Sequence, residues 1–592
     1  MNGSKRTWCL LAVSLLLILV GDLLASCVQT DWGNVKIRDI RFVGSNGTIM
    51  SALLYVPNGV TAKNPAPGIV AIHGYINSRE TQDGFAIEFA RRGYVVLAPD
   101  QTGHGYSDPP AFANGFGGVD SLRYIRTLDI VDPKNIGLEG HSMGGWASVI
   151  AAAVVKDGYQ SFVLEGSSTG TYGGPDGTAT FPRNFCLVYS QWDEFSPLMW
   201  GTLIPKDIVK TDKLKNAFGT KDDVVPGQIY GSIDDGTARV LYQPQGTHPW
   251  DHFNPVAIGY AIDWFQKTLK GGNSLPSSNQ SWPWKEFGNL LALIGFFMLL
   301  FPVGSLILKT NFFKELAEPT PAPKPATGLG WWIGVAILVI VTAVPFFTFV
   351  ELPANLKILN PVWLFPDNIA TQLMWWSVIL GIISAILVTL WHFIWNRKTG
   401  ANGDTYGVTW ATKLNWKKIG KSLLVAALAA IAAYLTLVFS AWLFTVDYRI
   451  WILAVKPLSP LQFQIFLCYV IPFAFFWIPF AVILHGELRS TSKGKEVGLW
   501  RELVTNALIM AAGYVILFLY QYIPLMMGGS LLIPAESLFS IVAIPYIVEM
   551  PLGALILTYF FRKTGHIYVG AFLVTIMLVA LMVAGTAIHF AF

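Results

Sequence analysis

The sequence predicts an α/β unit built on a doubly wound parallel sheet, followed by an all-α bundle of transmembrane helices. Three observations predict it. From Pro67, short apolar runs alternate with helical patterns to about residue 270. One of the strand-to-helix junctions reads Gly140-His141-Ser142-Met143-Gly144. Beyond Phe287 the period-2 patterns stop and long apolar spans take over. The chain has 592 residues, too many for one ordinary domain, and only 13% are charged.

The N-terminus carries Lys5 and Arg6 ahead of an apolar run from about Trp8 to Val20. Residues 1–27 therefore read as a signal peptide or an uncleaved signal anchor. Leu24-Ala25-Ser26-Cys27 has the form of a lipoprotein cleavage box, with Asp22 an unusual neighbour. Either way, the following domain is expected outside the cytoplasm.

Residues 28–272 form the α/β unit. Residues 35–56 read as a hairpin turning at Ser45-Asn46-Gly47. The strands that follow are GIVAIHG, YVVLAP, NIGLEG, SFVLEG, FCLVYS and RVLYQP. Helices are expected at Phe85–Arg92, Asp120–Thr127 and Gly145–Lys156, and AIGYAIDWFQKTL closes the unit as an amphipathic helix. From 28 to 280 there are 24 acidic and 20 basic residues, with no basic tract, so nucleic acid is not an expected partner. Cys9, Cys27, Cys186 and Cys468 form no CxxC pair, so neither a disulfide framework nor a metal site is expected.

Residues 273–287, rich in Ser, Asn, Pro and Trp, read as a linker to the membrane. The transmembrane domain, 288–592, has about eight spans: 288–308, 328–350, 369–395, 420–445, 461–484, 501–526, 537–561 and 566–590. With the N-terminus inside, the inner segments hold 17 Lys and Arg, and the short outer loops hold only Lys357, Arg449 and Lys456. This bias places 28–280 and the C-terminus outside an expected bacterial or archaeal cell membrane. Glu549 lies near the middle of a span, between Pro545 and Pro551. A carboxylate there is costly, which makes it a candidate functional residue.

The Gly-x-Ser-x-Gly junction points to acyl chemistry. A Ser hydroxyl needs a base to take its proton and a sharp turn to lift it clear of the sheet. Gly140 and Gly144 relieve crowding at that turn. The first helical turn then aims N–H groups and its positive dipole end at a reacting carbonyl. The motif is informative only between a strand and a helix, which is the context here.

With AIHGY, RRGYVVLAPDQTGHGYSD, GLEGHSMGG, CLVYSQWDEFS and GTHPWDHF, residues 35–270 resemble the α/β-hydrolase superfamily. The likeness is greatest to dienelactone-hydrolase-like and acyl-hydrolase members. The resemblance implies Ser142 as nucleophile and Met143 and Tyr75 as backbone N–H donors to the oxyanion. It implies His248 as base, with His252 second in line. It implies Asp193, after the seventh strand, as the acid, with Asp222 in FGTKDDVVP the alternative. Ser190 stands where the family commonly has Gly. His73, His104 and His141 read as structural, and no cofactor is expected. Residues 168–184 sit where family members carry a cap, but they are short and Gly-rich. Small or surface-presented acyl substrates are therefore expected, with Trp192, Phe195 and Trp200 near the acid as candidate pocket residues.

The function this implies is a membrane-bound extracytoplasmic serine hydrolase cleaving an ester, thioester or amide of a small-molecule, acyl or peptidyl substrate. The other reading is a transporter or lipid-handling protein whose soluble domain binds or senses. The lipid bilayer is a partner in both, and neither fixes an oligomeric state.

Overall fold

A computed structural model describes residues 3–355, 362–492 and 495–590. Lys357 and Lys493, two of the loop charges weighed above, lie outside the described residues.

Eight strands form one sheet: β1 (Val35–Val43), β2 (Ile49–Pro57), β3 (Ala66–Ile72), β4 (Val95–Pro99), β5 (Val131–His141), β6 (Ser161–Glu165), β7 (Phe185–Val188) and β8 (Arg239–Tyr242). The order is β1-β2-β4-β3-β5-β6-β7-β8. The hairpin β1–β2 is antiparallel, and β2 also runs antiparallel to β4. From β4 to β8 every pairing is parallel.

Alternation along the strands feeds two cores, because successive side chains leave opposite faces. Val70 and Ile72 of β3 enter one apolar cluster, and Ile69 and Ala71 enter another. Four helices cover the sheet: α2 (Asp83–Arg91), α3 (Gly118–Ile125), α4 (Met143–Val154) and α7 (Pro255–Thr268). Leu122 and Ile125 of α3 and Ala147 and Ala151 of α4 fill the first cluster. Phe85 and Phe89 of α2 and Ile258 and Phe265 of α7 fill the second. Two short helices, α5 (Ser196–Trp200) and α6 (Asp212–Phe218), precede β8.

The helical part begins and ends close to the sheet domain. Helix α1 (Gly3–Gln29) lies along α8 (Trp282–Ile307). Their backbones meet at Gly21 and Gly288, where a Cβ on either residue would collide with the opposite helix. Small residues that admit such close approach are the usual means of helix association in lipid. Asp22, awkward within a cleavage box, accepts a hydrogen bond from Ser440 Oγ.

The remaining helices are α9 (Leu329–Ala343), α10 (Phe346–Asn355), α11 (Asn368–Ile394), α12 (Trp416–Phe444), α13 (Pro460–Val482), α14 (Leu499–Met526), α15 (Ser537–Ala543), α16 (Tyr546–Thr564) and α17 (Tyr568–Gly585). Among the described residues, eight helices are long and apolar enough to cross a membrane, and a bent pair makes a ninth. That pair is α9 and α10, bent by 47° around Pro345. It occupies the expected 328–350 span, and a Pro at the break accounts for the bend.

Two boundaries differ from expectation. Helix α8 starts at Trp282, inside the stretch expected to be linker. The last helix stops at Gly585, and residues 586–590 turn back to the sheet domain. There Ile588 pairs with the loop after β4: its N–H donates to Gly103 O at 2.8 Å, and its carbonyl accepts from Ala111 N–H at 2.7 Å.

A small hairpin, β9 (Tyr448–Ile450) with β10 (Leu453–Val455), joins α12 to α13 and also meets the sheet domain. Lys456 Nζ lies 2.6 Å from Glu80 Oε2, and Tyr106 Oη donates to Pro457 O at 2.8 Å. The opposite end of the bundle is tied by its own loops, as where Trp410 Nε1 donates to Glu318 at 3.1 Å and Arg489 to Pro321 O at 2.6 Å.

Candidate active site

Ser142 sits between β5 and α4 with φ 53° and ψ −120°. A non-Gly residue seldom adopts that backbone, and the surroundings must hold it there. A Cβ on Gly140 would fall against Gly144 O, and one on Gly144 against Ile72 O, so both positions require glycine. Ser142 N–H donates to Glu165 O at 2.9 Å, and Ser142 O accepts from Ser167 Oγ at 2.6 Å. The turn is thus pinned to the ends of neighbouring strands, and the hydroxyl is left at the head of α4.

His248 opens a short helical turn after β8, and Asp193 follows β7. Their contact is direct: His248 Nδ1 lies 2.8 Å from Asp193 Oδ2, with Asp193 fully buried. The other Asp193 oxygen accepts from Phe195 N–H at 2.8 Å. Nδ1 is therefore the donor to Asp193, which leaves Nε2 as the free nitrogen. Ser142 and His248 line one cavity. Ser142 Oγ makes no hydrogen bond to another described residue. Such bonds commonly tighten only once substrate is bound.

Asp222 is exposed on the loop after α6, where its N–H is held by Thr220 Oγ1 at 3.1 Å. KLKNAF is helix α6, not a strand, so this carboxylate is not carried to the sheet's active edge. His252 is not the residue against Asp193. Its ring packs 3.9 Å from that of His141, and burial holds it down to about 3. His141 donates from Nε2 to His248 O at 2.9 Å and so fastens the base loop. His73 receives Gln101 N–H at 3.1 Å, and His104 bonds Thr102 O at 3.0 Å, both as structural residues.

Tyr75 follows β3, and its N–H has no acceptor among the described residues. Met143 N–H belongs to the first turn of α4, where helical N–H groups lack intrahelical acceptors. Both residues line the cavity beside Ser142.

The electrostatics favour a protonatable base. Burial opposes charge on His248, but the Asp193 charge and hydrogen bond, with Glu194 and Asp251, outweigh it and raise the group above its usual 6.5. Glu194 Oε2 accepts the His248 N–H at 2.7 Å. Burial, then the Asp193 charge, pushes Glu194 up to about 7. Burial first also pushes Asp251 well above the carboxylate range, while Ser190 Oγ donates to it. The Ser at position 190 thus has a partner that Gly would lack.

The cavity, about 250 Å³, is mostly apolar, lined by Phe112, Phe116, Trp146, Phe195, Leu198 and Met199 from the sheet domain. Phe195 packs edge-on to His248 with ring centres 4.7 Å apart. Of the other two aromatics near the acid, Trp200 is core and donates to Ser167 O at 3.1 Å. Trp192 lines a separate cavity against α14. Residues 168–184 contain no helix, and their Tyr172 stacks on Trp146 at 4.6 Å.

The remaining wall comes from the helical bundle, through Ile452, Leu538, Ile541, Val542 and Pro545. The bundle also grips three loops of the site. His589 meets Tyr75 Oη at 2.8 Å, Ser537 Oγ donates to Glu194 O at 2.7 Å, and Trp451 Nε1 donates to Pro249 O at 2.6 Å. Residues of the bundle thus roof part of the cavity, on the side where a cap would otherwise stand. Sequence reading missed the roof because its residues lie some 200 to 510 positions from the loops they touch. The one available signal was the shortness of the usual cap.

Residues 67–184 match the family described as alpha/beta hydrolase fold, and the strand order extends that arrangement over the whole sheet. The sheet domain has the alpha/beta hydrolase fold. Among relatives of the hydrolase domain, an uncharacterized protein of Mycobacterium tuberculosis is 36% identical over 86 residues, 13% of this chain and 23% of that protein. A serine hydrolase-like protein of Dictyostelium discoideum is 30% identical over 94 residues, 16% of this chain and 26% of that one. The chain thus matches about a quarter of the length of these curated relatives. Similar solved structures include a bacterial heroin esterase, at 18% identity and TM-score 0.31, covering 43% of this chain and 89% of that one. Dienelactone hydrolase from Anabaena variabilis is 14% identical with TM-score 0.28, covering 40% and 100%.

Proposed function

We propose that the protein is a membrane-bound serine hydrolase acting outside the cytoplasm, which cleaves an ester, thioester or amide by a Ser142–His248–Asp193 triad. The observation that carries this reading is the 2.8 Å contact of His248 Nδ1 with buried Asp193, on the rim of the cavity that holds Ser142.

In this mechanism His248 Nε2 takes the proton from Ser142 Oγ as the oxygen attacks the carbonyl carbon. Asp193 fixes the ring's tautomer and stabilises the imidazolium. The carbonyl oxygen becomes an oxyanion held by the Met143 and Tyr75 N–H groups. His248 then returns the proton to the leaving group, and an acyl-Ser142 remains. Water, deprotonated by His248, attacks the acyl carbon; the acyl–Oγ bond breaks, the acid leaves, and His248 gives the proton back to Ser142 Oγ.

Placement outside the cytoplasm rests on charge. Among the described residues, the Lys- and Arg-rich loops bond to one another, Trp410 to Glu318 and Arg489 to Pro321, at the ends of helices that run away from the sheet domain. Lys and Arg are retained on the cytoplasmic side. The packing of α1 on α8 supports an uncleaved anchor.

Hydrolysis of p-nitrophenyl butyrate by the detergent-solubilised full chain tests the proposal. Turnover should fall by a factor of at least about 10³ in Ser142→Ala. Undiminished turnover in that variant would exclude Ser142 as the nucleophile.

A further inference from the structure

The membrane side of the active-site cavity does not end at its roof. Ile76, Asn77, Ile452, Val542 and Pro545 line that cavity and also a second one, of about 100 Å³. The second cavity lies between the loop after β3 and the bundle, against Ile369 and Leu373 in the first turns of α11 and Met582 in the last turn of α17. Pro545, in the break between α15 and α16, and Val542 line both cavities. On the far side of that break, Glu549 lines the second cavity.

Glu549 is only 7% exposed, and among the described residues its carboxylate has no hydrogen-bond or ion-pair partner, although Tyr514 and Tyr546 lie within its electrostatic reach. Lys456 lines the same cavity, but its Nζ is held by Glu80 at 2.6 Å. A carboxyl group left without a partner in apolar surroundings is costly. A ligand that brings its own donor removes that cost.

We propose that the two chambers form one substrate site. It takes an apolar ester or amide that carries an amino or hydroxyl group remote from the scissile carbonyl. The carbonyl lies at Ser142, the hydrocarbon passes Val542 and Pro545, and the donor group meets Glu549. The inference rests on the hydrolase reading above and assigns its substrate class.

Two matched pairs test it on the solubilised full chain. One is p-nitrophenyl 8-aminooctanoate against p-nitrophenyl octanoate, with the amine on the acyl side. The other is 8-aminooctyl butyrate against octyl butyrate, with the amine on the alcohol side. The quantity read is the ratio of kcat/KM within each pair. In Glu549→Gln the ratio should fall about tenfold or more for at least one pair, the scale of one charge-assisted hydrogen bond. A ratio equal to wild type in both pairs would overturn the proposal. If Glu549→Gln does not accumulate in the membrane, Val542→Trp, which fills the passage, decides by the same ratios. Ser142→Ala separates the two claims. If it retains turnover, the hydrolase reading fails. If it loses turnover while the ratios stay fixed, only the substrate assignment fails.

Discussion

Tyr75 and His589, 514 positions apart, are joined side chain to side chain at 2.8 Å. His589 Nδ1 accepts the Asn368 N–H at 3.2 Å, so the neutral ring carries its proton on Nε2 and donates to Tyr75 Oη. Burial holds His589 down to about 4, which keeps it neutral near pH 7. Residues 586–590 thus steady the loop of Tyr75, the proposed oxyanion donor.

Loss of that link should appear in turnover. His589→Ala is expected to lower kcat by about fivefold, equivalent to one hydrogen bond of about 1 kcal/mol, with KM little changed. Tyr75→Phe should give the same loss, and the double variant no more than either alone. Additive losses would show that the two residues act separately.

The acid of the triad is decided by comparing two carboxylates. Asp193→Asn should leave the fold intact and lower kcat by about 10⁴-fold, the scale of a base held in the wrong tautomer. Asp222→Asn, on an exposed loop, should stay within about twofold of wild type. Steady-state kinetics on both variants checks the ranking, and the reverse order would contradict the geometry.

The rate should rise with pH. His248 must be neutral to accept the Ser142 proton, and its environment raises it above 6.5. The acidic limb of kcat/KM should therefore have its midpoint above 6.5. Glu194 is one of the charges that raise His248, so Glu194→Gln should move the limb to lower pH. A limb that stays in place would remove Glu194 from this role.

Docking of the two domains depends on a buried ion cluster. Glu80 meets Lys456 at 2.6 Å, Arg79 at 3.1 Å and Arg449 at 3.8 Å. Glu80→Ala strands these cations and should destabilise the full chain by about 3–5 kcal/mol, measured by thermal unfolding in detergent. Burial opposes the Glu80 charge, but Lys456, Arg79 and Arg449 outweigh it and hold the group well below 4.5. A depressed folded value means its contribution is full above the unfolded value of about 4.5. The contribution is lost as pH falls through the lower folded value. Wild type should thus lose stability on acidification below pH 4.5 by more than Glu80→Ala does.

Much of the hydrolase domain was legible because its signals are local. The short apolar runs became β3 to β8, and the Gly-Ser-Gly turn appears as a positive φ at Ser142 flanked by glycines that tolerate no Cβ. KLKNAF folds as helix α6, not as a strand, so Asp222 does not take the place of Asp193.

What was not legible depends on contacts between distant segments. The first turn of α8 carries Lys285 and Glu286, so by composition it reads as linker. Lys285 instead pairs with Asp83 beneath the hydrolase domain, which permits a helix to start there. The apolar side chains of α15 look like any span, and nothing in their spacing says that Leu538 and Ile541 face a serine rather than lipid. Glu549 stood out by its cost, but the cavity it lines is a property of packing alone.

The most direct test of the central claim is to locate a covalent adduct. The solubilised full chain is treated with a fluorophosphonate, digested and mapped by mass spectrometry. The account predicts one phosphonyl group on the peptide carrying Ser142, absent from Ser142→Ala and strongly reduced in His248→Ala. An adduct on a different serine, or equal labelling of Ser142→Ala, would contradict it.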